Sequence, residues 1–219
     1  MTKVKICCMK NAAEVRLAQQ AGVEAIGLVG PMPSGPGTLS LEAIASLWPA
    51  IQDLQLDSFF LISATQPAEI LAQYQYAPTT TIQLVDTVQP EAYPILRAAL
   101  PNTRLVQVIH VEDATALEQA ARYQHLADGL LLDSGVTSGP IKQLGGTGNT
   151  HNWDFSAAIV RQSGIPVWLA GGLKSGNVQD AIAQVRPHGV DICSGLRPGN
   201  GDLDPQALQQ FMQAVKGGV

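Results

Sequence analysis

The sequence predicts an α/β fold, a single-domain (β/α)8 TIM barrel over residues 1–219, on three observations. Strand-like and helix-like segments alternate through eight units with no break in composition. The strand-like runs are apolar throughout rather than alternating, as in a parallel sheet covered on its outer face. Two glycine-bearing turns, Leu169-Ala170-Gly171-Gly172-Leu173 and Val190-Asp191-Ile192-Cys193-Ser194-Gly195, lie near the C-terminus between an apolar run and a helix-like segment. Barrels of this kind often hold a phosphate at the loops after strands 7 and 8. An open doubly wound sheet is the alternative arrangement of the same units.

Each element has its own signal. Val4–Cys8 reads as the first strand, and a helix from about Asn11 to Gln20 closes at Gly22, a residue suited to a left-handed cap. Ala25–Val29 is the second strand, followed by a Gly/Pro-rich loop, Gly30–Gly37. Ser40 is a plausible N-cap for the second helix, with Glu42 in its first turn to suit the dipole. Strands at Ser58–Ser63, Thr80–Val85, Leu105–His110 and Gly129–Leu132 are separated by helices near Pro67–Gln75, Pro90–Leu100 and Ala114–Tyr123. A long glycine-rich loop, Ser134–Thr150, leads to a helix near Phe155–Arg161. Strand Pro166–Leu169, helix Asn177–Val185, strand Gly189–Cys193 and a helix from about Pro205 to Val215 complete the order.

Composition narrows the function classes. Apolar residues make up 46% of the chain and charged residues 14%, a compact globular balance that needs no disulfide or metal to fold. Net charge is −5 with no Lys/Arg cluster, which argues against a nucleic-acid surface. No apolar run approaches the roughly 20 residues needed to span a bilayer. The first residues enter a strand without a signal-peptide pattern, so the expected location is cytoplasmic and reducing. Three cysteines give no disulfide framework. They are expected to be unrelated thiols; at most, Cys7 or Cys8 approaches Cys193 across neighbouring strands as a redox-sensitive pair. No metal ligand spacing is present, and His110, His125 and His188 receive no role.

In such barrels functional groups sit where strands end and βα loops begin. Cys7 or Cys8, Asp133 and Asp191 therefore stand out. A strand-end cysteine is commonly a small buried apolar residue, and an Asp opening a loop is commonly a turn residue. Asp191, between Val190 and Ile192, is harder to dismiss, because a buried carboxylate needs a partner. Strand alternation puts Cys7 and Cys8 on opposite faces, so only one should line the mouth, and puts Asp191 and Cys193 on the same face.

Five motifs then resemble one family. Lys5-Ile6-Cys7, Leu131-Leu132-Asp133-Ser134, Gly145-Gly146-Thr147-Gly148, Ala170-Gly171-Gly172-Leu173 and Arg186-Pro187-x-Gly189-Val190-Asp191 through Ser194-Gly195 resemble phosphoribosylanthranilate isomerases in order and spacing. The resemblance implies a (β/α)8 barrel that carries out an Amadori rearrangement in tryptophan biosynthesis without cofactor or metal. By the same resemblance Cys7 is the general base and Asp133 the general acid. Asp191 faces the substrate near its amino group, with Gln83 as a further contact. Gly148, Gly171, Gly172, Ser194 and Gly195 fall on the phosphate turns. The implied partner is a phosphorylated small molecule, with no nucleic acid or membrane, and the assembly a monomer or homodimer.

The departures cluster at one end. Cys8 replaces the glycine of the usual Lys-Ile-Cys-Gly. The second βα loop normally carries Ser-Pro-Arg, the arginine pairing with the anthranilate carboxylate; here it reads Gly35-Pro36-Gly37. No Lys or Arg occurs between Arg16 and Arg97. The usual Gln-Leu-His-Gly reads Gln83-Leu84-Val85-Asp86, and a lysine usual after the last phosphate turn is Leu203. Losing a charge-assisted contact removes about 1.5–3 kcal/mol. Either Lys10 substitutes for that arginine or the substrate lacks the carboxylate. His151, where the family usually has an apolar residue, is a further candidate substrate contact. A relative acting on another amino- or keto-sugar phosphate, or a non-catalytic phosphometabolite-binding protein, are the competing functions.

Overall fold

The computed structural model describes residues 1–33, 35–135, 150–198 and 201–217. Eight parallel strands close a barrel in chain order: β1 (Lys3–Ile6), β2 (Ala25–Val29), β3 (Asp57–Ile62), β4 (Thr81–Leu84), β5 (Arg104–His110), β6 (Gly129–Asp133), β7 (Val167–Leu169) and β8 (Gly189–Ile192). Closure is made by β1 against β8, in register from Lys3 opposite Gly189 to Ile6 opposite Ile192. The helices α1 (Ala12–Ala21), α2 (Leu41–Leu47), α3 (Pro67–Tyr74), α4 (Ala92–Ala99), α5 (Thr115–Tyr123), α6 (Trp153–Gln162), α7 (Val178–Val185) and α8 (Pro205–Lys216) follow their strands. The open-sheet alternative is thereby excluded.

Local sequence accounts for the helix ends. The Asn11 side chain accepts from Ala13 and Glu14 N–H to start α1, and Gly22, at φ +78°, closes it. Ser40 caps α2 through the Ala43 N–H, and Asp204 caps α8 through the Ala207 N–H, with Pro205 at the first helical position.

The core has two layers. Ile6, Leu28, Phe60, Ile82, Leu84, Leu130 and Leu132 point outward from the strands and are covered by the helices. Each such side chain contributes about 1.5–3 kcal/mol by leaving water. Phe59, Leu61, Val106, Val108, Leu131 and Trp168 fill the barrel itself. Phe59 and Trp168 meet edge to face at 5.6 Å. Gly189 makes room for the Trp168 ring, since a Cβ there would run into it. This packed floor leaves chemistry only to the residues above it, at the C-terminal ends of the strands.

One strand ends earlier than its apolar run predicts. β1 stops at Ile6, although the Cys7 N–H still bonds the Ile192 carbonyl at 2.9 Å. Cys8 then turns into the left-handed region at φ +64°. Strand alternation therefore fails after Cys7, and both cysteines line the mouth rather than facing opposite ways.

Candidate active site

A cleft opens at the C-terminal ends of the strands. Cys7, Gln83, Asp133 and Asp191 line it together with Gly171, Gly172 and Ser194. Strand register brings them together from four strands of the barrel: Cys7 follows β1, Gln83 lies in β4, Asp133 ends β6 and Asp191 lies in β8. Gly27 in β2 leaves space for the Cys7 thiol, whose Sγ lies 2.8 Å from where a Cβ would stand.

The partner that Asp191 needs is Lys5. Its ammonium, fully buried, lies 2.6 Å from Asp191 Oδ2 and donates to Gln83 Oε1 at 3.0 Å. It also sits over the Phe59 ring, 5.0 Å from the centroid. Burial alone would lower the Lys5 pKa, but Asp191 and the other nearby acids outweigh it and the net direction is up. Asp191 Oδ1 is buried with no protein partner. That oxygen is an acceptor available to a substrate N–H or O–H.

The two candidate proton-transfer groups are shifted by the same cause. Burial pushes the Cys7 thiol up to about 11, against the opposing field of Lys5. Burial also raises Asp133, more than the Ser134 N–H bond to its Oδ1 (2.7 Å) and the nearby His110 lower it. A carboxyl whose proton is held more tightly suits an acid; a thiol whose proton is held more tightly is what a base must overcome.

The glycine turns are shaped as the sequence predicts. Gly171 and Gly172 take φ +85° and +62°, and a Cβ on Gly171 would stand 2.9 Å from Ser134 Oγ. The Asn177 side chain locks the turn to the start of α7, accepting from Lys174 N–H (2.8 Å) and donating to the Gly172 carbonyl (3.0 Å). Ser194 opens a short 3-10 turn, Ser194–Leu196. Gly195 stands behind the lining, where a Cβ would strike the Leu173 carbonyl, so it packs one turn against the other. Gly148 lies outside the described residues.

Two predicted contacts are not in the cleft. Lys10 faces away and pairs with Asp202 at 3.4 Å, because its backbone is drawn into the start of α1 by Glu14. His151 turns onto α6 and shares a 2.6 Å hydrogen bond with Ser156 Oγ, and burial lowers its pKa to about 4. Neither is positioned as a substrate cation.

The expectation of unrelated thiols is also overturned. Cys8 and Cys193 are disulfide-bonded with their Cα atoms 6.0 Å apart, and Cys7 is the free cysteine. β1 and β8 are neighbours, and the left-handed turn at Cys8 swings its side chain toward β8. The same turn explains Gly37. A Cβ at position 37, itself at φ +71°, would stand 2.5 Å from Cys8 Cβ. Cys8 and a side chain at position 37 exclude each other, so two departures that are 29 positions apart in sequence are one packing event.

Sequence reasoning missed Arg197 and Glu14. Arg197 forks onto Glu14 with two 2.9 Å bonds and also reaches the carbonyls of Cys7 (3.3 Å) and Gly201 (3.2 Å). Glu14 completes its set with the N–H groups of Lys10 and Leu203. The pair clamps the loop after β1 to the loop after β8. An Arg and a Glu 183 residues apart carry no local signal that they meet. His110 was missed as well: in register with Asp133, it donates through Nε2 to the Val85 carbonyl at 3.0 Å.

Fold and site together define a (β/α)8 barrel whose cleft gathers a thiol and two carboxylates beside two glycine-bearing turns. Comparison with known proteins narrows this class. The family model for N-(5'-phosphoribosyl)anthranilate (PRA) isomerase matches residues 63–214. The chain is 30% identical over 216 residues to the N-(5'-phosphoribosyl)anthranilate isomerase of Methanocella arvoryzae, covering 99% of each. It is 32% identical over 224 residues to that of Natronomonas pharaonis, again 99% of each. The solved phosphoribosyl anthranilate isomerase of Thermotoga maritima superposes with a TM-score of 0.84 at 24% identity, over 99% of this chain and 100% of that one. This chain belongs to the phosphoribosylanthranilate isomerase family.

Proposed function

We propose that this chain catalyses the Amadori rearrangement of N-(5'-phosphoribosyl)anthranilate, the aldose–ketose isomerisation of tryptophan biosynthesis, with Asp133 as acid and Cys7 as base. Family membership is one support. The observation that carries the residue roles is the cleft itself, which gathers Cys7, Asp133 and the unpartnered Asp191 Oδ1 beside the Gly171–Gly172 and Ser194 turns. Protonated Asp133 gives its proton to the ribose ring oxygen, and the ring opens to a Schiff base. The Cys7 thiolate takes the C2' proton, leaving an enolamine that tautomerises to the ketone. Asp191 Oδ1 accepts from the substrate amine or a hydroxyl. Backbone N–H groups at the glycine turns hold the phosphate. No step requires a cofactor.

We read the protein as one domain of residues 1–219, working in the cytoplasm as a monomer or homodimer. Among the described residues no helix is long and apolar enough to cross a membrane. Steady-state loss of anthranilate fluorescence on addition of phosphoribosylanthranilate tests the activity. Turnover no greater than that of a Cys7→Ala, Asp133→Ala double variant refutes it and leaves phosphometabolite binding.

A second reading, a substrate lacking the aromatic carboxylate, is favoured by one observation. Among the described lining residues there is no Lys, Arg or His, while Val29, Met32, Leu61 and Val85 form an apolar wall. Stronger thermal stabilisation by a carboxylate-free phosphoribosyl arylamine than by its anthranilate counterpart decides for it.

A further inference from the structure

We propose that Lys5 is a positioning residue for the base: its sealed ammonium holds Asp191 in place and supplies the positive charge against which the Cys7 thiol gives up its proton. The inference rests on the reading of Cys7 as base. Its geometry comes from the strand. Lys5 and Cys7 are two residues apart on one extended segment, so they share the inward face, with Lys5 one layer below. Lys5 stands opposite Asp191 in the β1–β8 register, its ammonium 2.6 Å from Oδ2, and it has no exposure to solvent.

A barrel floor of Leu, Val and Phe would pack equally well without charge, and buried ion pairs are often neutral or unfavourable beside apolar replacements. Lys5 therefore asks for a role besides packing. The need is visible one layer above, where burial drives the thiol toward its protonated form. Among the described residues, the charged groups acting on Cys7 are Lys5 from its own strand, Asp191 from β8 and Arg197, paired to Glu14 of α1, on the loop after β8, with Asp133 of β6 in the same lining. Lys5 and Arg197 favour the thiolate, and Asp191 opposes it. Arg197 forks onto both oxygens of Glu14, whereas Lys5 meets Asp191 through one oxygen and shares the inward face with Cys7. In the step itself the Cys7 S–H proton passes to water in the cleft, and the thiolate formed above Lys5 then accepts the substrate C2' proton.

The test is the rate at which iodoacetamide alkylates Cys7 between about pH 6 and 10, where the thiolate is the reacting form. With Cys8 and Cys193 joined, Cys7 is the free thiol. Lys5→Met is expected to slow alkylation about threefold at fixed pH: a tenfold loss of thiolate is partly offset by its greater nucleophilicity. Lys5→Arg restores the rate, and Lys5→Gln, which keeps a polar donor but loses the charge, slows it as Lys5→Met does. An unchanged profile in Lys5→Met and Lys5→Gln overturns the proposal. Where circular dichroism shows Lys5→Met unfolded, Lys5→Gln decides alone. Alkylation does not depend on turnover. Absent isomerase activity with the alkylation pattern intact refutes the assigned reaction and still supports Lys5.

Discussion

The two ends of the cleft are built from different materials. The phosphate end is backbone: Gly171, Gly172 and Ser194 present main-chain atoms, braced by Asn177 and by the contact between Gly195 and the Leu173 carbonyl. Elsewhere the lining is side chain: Val29, Met32, Leu61 and Val85, with Gly35 and Pro36, while the Cys8–Cys193 pair adjoins Ser194. Backbone geometry tolerates few substitutions, because positive φ and close approach admit only glycine. A wall of side chains can be rebuilt by replacing several residues together, as Cys8 and Gly37 show. In the proposed reading, recognition of the phosphate and choice of the variable group are thus carried by different kinds of chemistry.

The proposed proton-transfer groups, Cys7 and Asp133, belong to neither set, so removing one should give the largest effect. Cys7→Ala is expected to lower kcat/KM about 10²–10⁴-fold with a circular dichroism melt close to wild type. The pH profile carries the sign. Asp133 must be protonated and Cys7 ionised, and burial pushes both groups up, the thiol to about 11. As pH rises toward that value, the thiolate gained offsets any protonated Asp133 lost, so kcat/KM should not decline with rising pH below about 11. An alkaline decline in the neutral range would contradict the assignment.

Next is the clamp behind both ends. Arg197→Met strands Glu14 among N–H donors without its cation and should cost about 3–5 kcal/mol in denaturant unfolding. Burial raises the Glu14 pKa, but the Arg197, Lys10 and Leu203 hydrogen bonds outweigh it, and the net direction is down from 4.5. A depressed folded-state value means that its stabilisation is complete above the unfolded value and is lost as pH falls through the folded one. Melting temperature should drop on acidification below that range in wild type, and less steeply in Glu14→Gln.

The side-chain end is tested by reversing its rebuilding. Cys8→Gly with Gly37→Arg removes the Cβ conflict and restores a cation. Affinity for a carboxylate-bearing aglycone, measured by titration calorimetry, should rise by about 1.5–3 kcal/mol. Gly37→Arg with Cys8 retained should instead destabilise the fold. Equal behaviour of the two variants would break the link between positions 8 and 37.

The smallest expected effect is at the backbone end. Gly171→Ala forces a Cβ into a left-handed turn at φ +85° and should weaken phosphate binding by about 1–2 kcal/mol, seen as a raised KM at nearly constant kcat. A drop in kcat alone would mean that this turn serves the chemistry rather than the grip.

What the sequence made legible follows the same division. Apolar periodicity and glycine turns are local signals, so eight βα units, the end of α1 at Gly22, the Ser40 cap and the Gly171–Gly172 turn could be read directly. Asp191 could be flagged as needing a partner. Lys5 could not be recognised as that partner, because the pairing depends on barrel closure between the first and last strands. The Arg197–Glu14 clamp and the Cys8–Cys193 bond are hidden for the same reason. Cys8 also breaks the strand alternation used to place it, since one left-handed residue resets which way the next side chains point. Lys10 was favoured by nearness in sequence, but its direction is set by how α1 begins.

The bond between Cys8 and Cys193 spans 185 positions and encloses seven of the eight strands in one covalent ring. A protease that cuts any single exposed loop inside that ring should leave a molecule that runs as one band on a denaturing gel and separates into two only when a thiol is added. The barrel seam, where the reduced chain has no covalent link, is in the oxidised chain the one place that a cut elsewhere cannot open.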